Sequence, residues 1–433
     1  LCAILAGTIA WEIPLPELQR QRRGAALSLA DRFQATRQLT EALAAPLSEA
    51  DAVLQSMADA SPAKWHLAHT TWFFETFLLR DRLPGYRLFD ERWPVLFNSY
   101  YEAEGERIAR PWRGLLSRPT LAEIAIWRTH VDQAIGPLLD DPAHHDLIEL
   151  GLAHEQQHQE LLLTDIKHAL FHNPLGPAMW PAAELARRES TGGAASEPGS
   201  GWFEHPGGIA LIGHQGPGFA FDNEGPAHRV WLEPFALSSR LVSNADWQAF
   251  IDDGGYRTAA LWLSDGWQWV NSEGIATPLY WRGEDHFTHG GWQARDPAAP
   301  VTHISYYEAD AFAAWAGARL PTEFEWEAIG QGHDPEGGNQ LDGAHPPLPS
   351  ASAGAALFGN CWQFTRSAYL PYPRFAPAAG AVGEYNGKFM AGQWVLKGAS
   401  CATARGHSRA TYRNFFYPHQ RWQFTGLRLA EDR

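Results

Sequence analysis

The sequence predicts a multidomain protein of α and α+β class: a four-helix bundle over residues 22–173, a linker over 174–201 and an α+β domain over 202–433. Three observations carry this. Before Pro174, four long stretches have helical composition with start and stop signals. From 174 to 201 the chain turns Pro-, Ala-, Gly- and Ser-rich and ends in Ser196-Glu-Pro-Gly-Ser-Gly201, the composition of a linker. Beyond Trp202, short apolar runs alternate with loops rich in Gly, Trp and Pro. A chain of 433 residues also exceeds what one core accommodates.

The first helix is expected over Arg22 to Leu47, where Ala and Leu alternate with Arg, Gln and Glu. Ser61-Pro62 opens the second, Ser as N-cap and Pro at the first helical position, and the helix should run to about Arg80. Pro119-Thr120 before Leu121 and Glu123 opens the third. Asp146 to Phe171 forms the fourth, stopped by Asn173-Pro174. In the second domain, strands are expected at Ile209–Ile212, Arg229–Leu232 and Trp394–Leu396. Two helices interrupt them, Ser243–Asp252 and Tyr306–Ala316, each with a Ser at its start. The 20 Trp and 30 Pro agree with a large loop-rich part.

A net charge of -15 repels phosphate backbones, so nucleic acid is not an expected partner. The three cysteines, Cys2, Cys361 and Cys401, lie far apart without CxxC spacing. They argue against a disulfide framework or zinc ribbon and for a reducing cytoplasm. The apolar Leu1–Ala10 lacks a basic flank and is too short to span a bilayer, and no other segment reads as a span.

The chemistry concentrates on the fourth helix. His154 and His158 are separated by about 400° of rotation and about 6 Å of rise, so both imidazoles leave one face, as two helical metal ligands do. Glu160 lies about 200° round from His158, off that face. Gln157 flanks the pair. His168 and His172 have the same spacing on the same helix, so spacing alone does not select a site. On the second helix His66 and His69 both qualify as a third ligand. Three neutral imidazoles leave open positions that suit O2 and substrates at iron(II), or a water at zinc. Tyr100 and Tyr101 lie in an inter-helix loop, where a phenol can deliver a proton or hydrogen atom. Arg110 and Arg113 have the forked donors that pair with a carboxylate.

Two sets of motifs go beyond generic pattern. Trp65-His-Leu-Ala-His69 together with His154-x3-His158-x-Glu160 resembles the metal signature of the DinB-like bundle. The second half resembles the formylglycine-generating-enzyme-type sulfatase-modifying domain, a C-type-lectin-like fold. The matching stretches are Pro300–Ala309, Ala318–Glu327, Gly359–Thr365, Val395–Ser400 and Thr425–Leu429. A DinB-like bundle followed by this domain is the layout of the ergothioneine-biosynthesis sulfoxide synthases, the EgtB family, which the chain resembles over nearly its whole length.

That resemblance implies an Fe(2+) enzyme that uses O2 to join a thiol sulfur to C2 of the imidazole of hercynine (N-alpha-trimethylhistidine). It selects His69, after Leu-Ala, as the third ligand beside His154 and His158, and places Gln157 beside the hercynine imidazole. Asn414 matches a hercynine contact, and Phe415 suits the trimethylammonium group. Members that take gamma-glutamylcysteine have an acidic residue where this chain has Phe416, and place their catalytic tyrosine in the second domain. Tyr100-Tyr101 instead looks like the arrangement of members using free cysteine, with Arg110 and Arg113 toward its carboxylate. Alternatives are an ovothiol- or selenoneine-type synthase acting on histidine or hercynine, and a zinc-dependent DinB-type thiol transferase. The methyltransferase domain usual in ovothiol enzymes is not in this sequence, which favours ergothioneine. Cys361 and Cys401 do not look like the copper-serving pair of formylglycine generation.

Overall fold

A computed structural model describes residues 27–181, 201–353, 356–377, 383 and 386–433. The expected start of the first helix at Arg22, the apolar Leu1–Ala10 and residues 182–200 of the expected linker lie outside the described residues. Among the described residues no helix is long and apolar enough to cross a membrane.

Four long helices form the first unit: α1 (Leu29–Ala44), α2 (Ala63–Phe74), α3 (Leu121–Ala134) and α4 (His145–Phe171). Ser28 with Asp31 caps α1, and Thr120 with Glu123 caps α3; each side chain takes an otherwise unsatisfied first-turn N–H. α2 departs from expectation at both ends. Pro62 rather than Ser61 is its N-cap; the Ser61 Oγ accepts from Arg113 at 2.9 Å instead of from the first turn, and its N–H donates to Asp165 Oδ2 on α4 at 2.8 Å. Beyond Phe74 the helix widens into a π turn, Glu75–Arg80, whose Glu75 accepts from Tyr86 Oη and the Phe89 N–H. Every residue of α2 is buried, so it forms the central rod of the molecule.

A buried polar node ties the four helices together. Glu155 on α4 accepts from Arg37 on α1 at 2.6 Å, Arg128 on α3 at 2.7 Å and Thr40 at 2.6 Å; Arg37 and Arg128 also reach Thr71 on α2. A charge buried without such partners would cost several kcal/mol. One turn before His154, Gly151 permits close approach of α2: a Cβ there would stand 2.7 Å from the Phe74 ring.

The second unit contains β1 (Trp202–His205), β2 (Gly208–Ile212), β3 (His228–Leu232), β4 (Phe235–Ser238), α5 (Asn244–Asp252), α6 (Ser264–Ser272), β5 (Trp281–Arg282), β6 (Asp285–Thr288), β7 (Gly291–Ala294), α7 (Tyr306–Trp315), α8 (Glu323–Gly330), β8 (Trp362–Ala368), β9 (Trp394–Gly398), β10 (Asn414–Phe416), β11 (Thr425–Gly426) and β12 (Ala430–Asp432). They make small sheets in the orders β1-β4-β12, β2-β3, β5-β6-β7 and β10-β9-β8-β11. The three expected strands and two expected helices form, and capping boxes at Ser243, Ser305 and Thr322 start α5, α7 and α8. The reading of only two helices was too few: α6 and α8 are short, and α8 is mostly buried, so its pattern lacks a polar face. The linker expected over 174–201 is not free at its start. Met179 and Trp180 are buried and donate their backbone N–H groups to the His289 carbonyl.

One stripe of α4 faces the second unit. Gln156 meets His407, Gln157 meets Tyr412, Glu160 meets Trp362, Ser400 and Thr403, Asp165 meets Trp422, and Lys167 meets His303. The opposite stripe carries Glu155 into the bundle. α4 therefore serves two cores, which explains its length.

Candidate metal centre and substrate cavity

His69, His154 and His158 converge, with one ring nitrogen from each within 4.8 Å of the others. α4 supplies two from consecutive turns, and α2 brings His69 opposite them, its ring 4.9 Å from His154 and 4.7 Å from His158. The His69 Nδ1–H donates to the Phe97 carbonyl at 2.6 Å, which leaves Nε2 as a lone pair; that atom is buried without a hydrogen-bond partner. Burial is the main cause that lowers all three pKa values, well below the ordinary range for His69 and His158 and to about 3 for His154. Neutral imidazoles are the ligand form. The donor set therefore fits a divalent transition-metal ion.

The structure separates His66 from His69. His66 is not in the cluster but stands behind it: its Nδ1 lies 2.8 Å from His158 Nδ1 and its Nε2 lies 3.2 Å from Asp165 Oδ2. A carboxylate accepts, so the His66 Nε2–H donates to Asp165, and His66 Nδ1 accepts from His158. This directs the lone pair of His158 Nε2 away from the relay, an outer partnership common to metal-binding histidines. Trp65 and Trp72 stack on either side of His69 at 4.5 and 5.5 Å.

His158 also borders a cavity of about 390 Å³ between the helices and the second unit. Of the residues singled out from the sequence, Tyr100, Arg110, Arg113, Gln157, Asn414, Phe415 and Phe416 line it. Tyr101 does not; it is fully buried against Trp72, Phe77 and the Tyr100 ring. Tyr100 is held from the other unit by Lys388, which reaches its carbonyl, and by the Phe389 ring at 5.3 Å. Arg113 lies flat on Trp65, 3.4 Å from the ring centre, and donates to Ser61 Oγ at 2.9 Å and Ser99 Oγ at 3.0 Å. It makes no ion pair among the described residues, its Nε is buried without a partner, and burial drives its pKa well down. Such a guanidinium is ready for an anionic group. Phe415 stacks on Tyr369 at 4.1 Å, and β10 sets it and Phe416 at the cavity edge.

Glu160 also lines the cavity, held between Trp362 at 2.9 Å, Ser400 and Thr403 at 2.7 Å, outside the histidine cluster as helix geometry requires. Burial raises its pKa against those donors. The sequence reading missed Asp59, Asp165, Tyr412 and His407. Asp59 lies in a loop and Asp165 two turns beyond the ligands, so neither stands in a recognisable motif. Only the Asn-Phe-Phe run beside Tyr412 marked that segment.

Residues 195–342 match the sulfatase-modifying factor enzyme 1-like domain. The formylglycine-generating enzyme of Thermomonospora curvata is 35% identical over 147 residues, 29% of this chain and 47% of that one. The hercynine oxygenase of Mycolicibacterium thermoresistibile is 32% identical over 86% of this chain and 87% of its own. That of Mycobacterium tuberculosis is 33% identical over 86% and 91%. Identity of this extent is confined to neither unit, and the cavity is walled by both, so this chain belongs to the hercynine oxygenase family.

Proposed function

We propose that the chain is an iron(II)- and O2-dependent sulfoxide synthase that joins the sulfur of cysteine to imidazole C2 of hercynine, on a DinB-like bundle with a C-type-lectin-like second domain. The reaction balances as thiol plus imidazole C2–H plus O2 giving sulfoxide plus water. The observation that carries the reading is the three-histidine cluster bordering a cavity that offers an unpaired guanidinium on one wall and aromatic rings on the other. His69, His154 and His158 would hold the metal. Bound iron(II) would supply open coordination positions and a redox-active centre for activating O2, while the four electrons that reduce O2 come from the thiol and the imidazole C2–H.

The residues divide the substrates between them. Phe415 and Phe416 give a trimethylammonium group an aromatic wall, Asn414 a polar contact, and Gln157 an amide for the imidazole. Arg113, with the more exposed Arg110, takes the carboxylate of the sulfur donor. Phe416 provides no acid for the donor's ammonium group, but Asp59 does. Glu160 and Asp165 are each saturated by donors, whereas the one hydrogen bond of Asp59 among the described residues comes from Gln420 at 3.4 Å. Arg113 and Asp59 line the same cavity and offer opposite charges to the two ends of a free amino acid, which supports cysteine as the donor. Tyr100, the member of the Tyr100–Tyr101 pair on the cavity wall, supplies the proton or hydrogen atom, and Tyr101 supports its ring by stacking at 4.7 Å.

The test is a mass-spectrometric product assay with O2 uptake on iron-loaded protein, offering cysteine or gamma-glutamylcysteine with hercynine or histidine. Sulfoxide from cysteine plus hercynine is expected as the main product. No O2 uptake from any pair would sink the reading.

A further inference from the structure

Lys167 on α4 is a buried cationic side chain that the chemistry above leaves unused. It is 4% exposed and forms no ion pair among the described residues. Its Nζ donates to His303 Nε2 at 2.8 Å; that nitrogen is a lone pair, because the His303 Nδ1–H donates to the Trp422 carbonyl at 3.2 Å. The ammonium also lies 4.6 Å from the centre of the Tyr280 ring and 4.9 Å from that of Phe424. The histidines around it bring no charge. Burial, with Lys167 next, lowers His286 and His289 to about 3 and His303 well below the ordinary range. An ammonium taken out of water calls for a counter-charge, and a neutral imidazole with two ring faces attracts it without supplying one. Burial accordingly pulls the Lys167 pKa down to about 7, against the Cys401 thiol, which raises it.

A space for a counter-charge adjoins the amine. Lys167, Tyr280, His286, Thr302 and His303 line a small cavity of about 20 Å³, enough for one water-sized particle. The Tyr280 hydroxyl is buried and finds no hydrogen-bond partner among the described residues. Tyr280 and His303 both have positive φ, 77° and 64°, a region that bulky residues enter only at a cost. Their rings meet at 4.7 Å, and the Leu279 N–H donates to the His303 carbonyl at 3.0 Å, which joins the two loops. Strain of this kind persists where the surroundings hold it, and it gathers at ligand sites.

We propose that this cavity binds one monatomic anion, a halide such as chloride, as the counter-ion of Lys167, and that the ion fastens α4 to the loops before β5 and α7. The walls hold donors in the ammonium, the Tyr280 and Thr302 hydroxyls and the His286 ring. The volume excludes polyatomic anions such as sulfate or a carboxylate. A water molecule would fit, but it brings no charge.

The test reads the full unaltered chain first. The sequence has four lysines, so protein carrying carbon-13 at lysine Cε gives four signals, and Lys167→Met assigns that of Lys167. In sodium chloride at about 0.1 M its titration midpoint should stand at least about one pH unit higher than in sodium gluconate of equal ionic strength. Thermal unfolding should show chloride raising the wild-type midpoint by about 1–3 °C over gluconate, and Lys167→Met should erase the difference. General salt effects act on both proteins and cancel. A Lys167 signal blind to chloride, or a midpoint gain that persists in Lys167→Met, overturns the proposal and leaves only water and the ring faces beside the amine.

Discussion

α4 carries two histidine pairs of identical spacing, and they have different fates. His154 and His158 sit 4.6 Å apart, His168 and His172 4.4 Å apart, so ring separation does not distinguish them. The surroundings do. The first pair faces α2, which brings in His69, and the outer ring nitrogens of His69 and His158 are taken by the Phe97 carbonyl and the His66–Asp165 relay. In the second pair, His168 Nδ1 bonds Ser56 Oγ at 2.7 Å and the two Nε2 atoms face each other at 3.3 Å. His172 is exposed, and no third ligating group joins them among the described residues. A metal site is thus made by the facing helix and by the partners behind His69 and His158, more than by the spacing within one helix.

The sharpest way to break this contrast is to remove one ring from each pair. His158→Ala, or His69→Ala, should drop metal content from about one per chain to background by elemental analysis after iron loading and gel filtration. His168→Ala should keep it. Equal loss from both pairs would mean that the metal is elsewhere.

How much of this could be read from sequence follows from the same contrast. The four helices were readable because caps and stops are local: Thr120 with Glu123 and Asn173-Pro174 act within a few residues. The ligand pair was readable as geometry, but choosing it over His168 and His172, and His69 over His66, needed the family resemblance. The deciding facts are long-range: Phe97 at the back of His69, and Asp165 beyond His66. Tyr101 and Tyr100 could not be ranked from sequence because a loop has no period from which to read which neighbour lines the cavity; Tyr100 does and Tyr101 is buried. Ser61 lost its expected capping role for a similar reason, since Arg113, 52 residues away, takes its hydroxyl oxygen.

Next in size is the node that holds the first pair's helix in place. Glu155→Gln would leave Arg37 and Arg128 without their shared carboxylate, a loss of about 3–5 kcal/mol in denaturant unfolding. Burial pushes the Glu155 carboxyl up, but Arg128 and Arg37 outweigh it and hold it at about 2, against 4.5 for a free glutamate. Its linkage contribution, about 3 kcal/mol, is therefore present above pH 4.5 and lost as pH falls through 2. The gap in stability between wild type and Glu155→Gln should close over that window. The buried histidines are common to both proteins and cancel in the difference. A gap that stayed constant to pH 2 would show that the arginines do not act on this carboxylate.

The relay behind His158 comes third. Asp165→Asn keeps size but replaces an anionic acceptor shared by His66, the Ser61 N–H and Trp422. The expected result is a fall in metal affinity of about 10–100-fold by competition with a chelator, with the helical circular dichroism retained. An affinity unchanged within twofold would mean that His158 needs no partner to be oriented.

The smallest effect completes the comparison from the other side. His172→Ala removes an exposed ring that touches His168 and meets the Phe171 ring edge-on. Surface substitutions of this kind move stability by about 0.5 kcal/mol or less. Metal content and hercynine affinity should stay as in wild type. His168 is half of a pair too, but burial, with His172 next, already lowers its pKa to about 4, so at neutral pH it is uncharged whether or not His172 is present. Removing His172 therefore changes no charge on His168, whose Nδ1 keeps its bond to Ser56 while Nε2 loses only the 3.3 Å contact to His172. A measurable loss of metal on His172→Ala would show that the second pair competes for the ion, and that equal spacing counts for more than the facing helix.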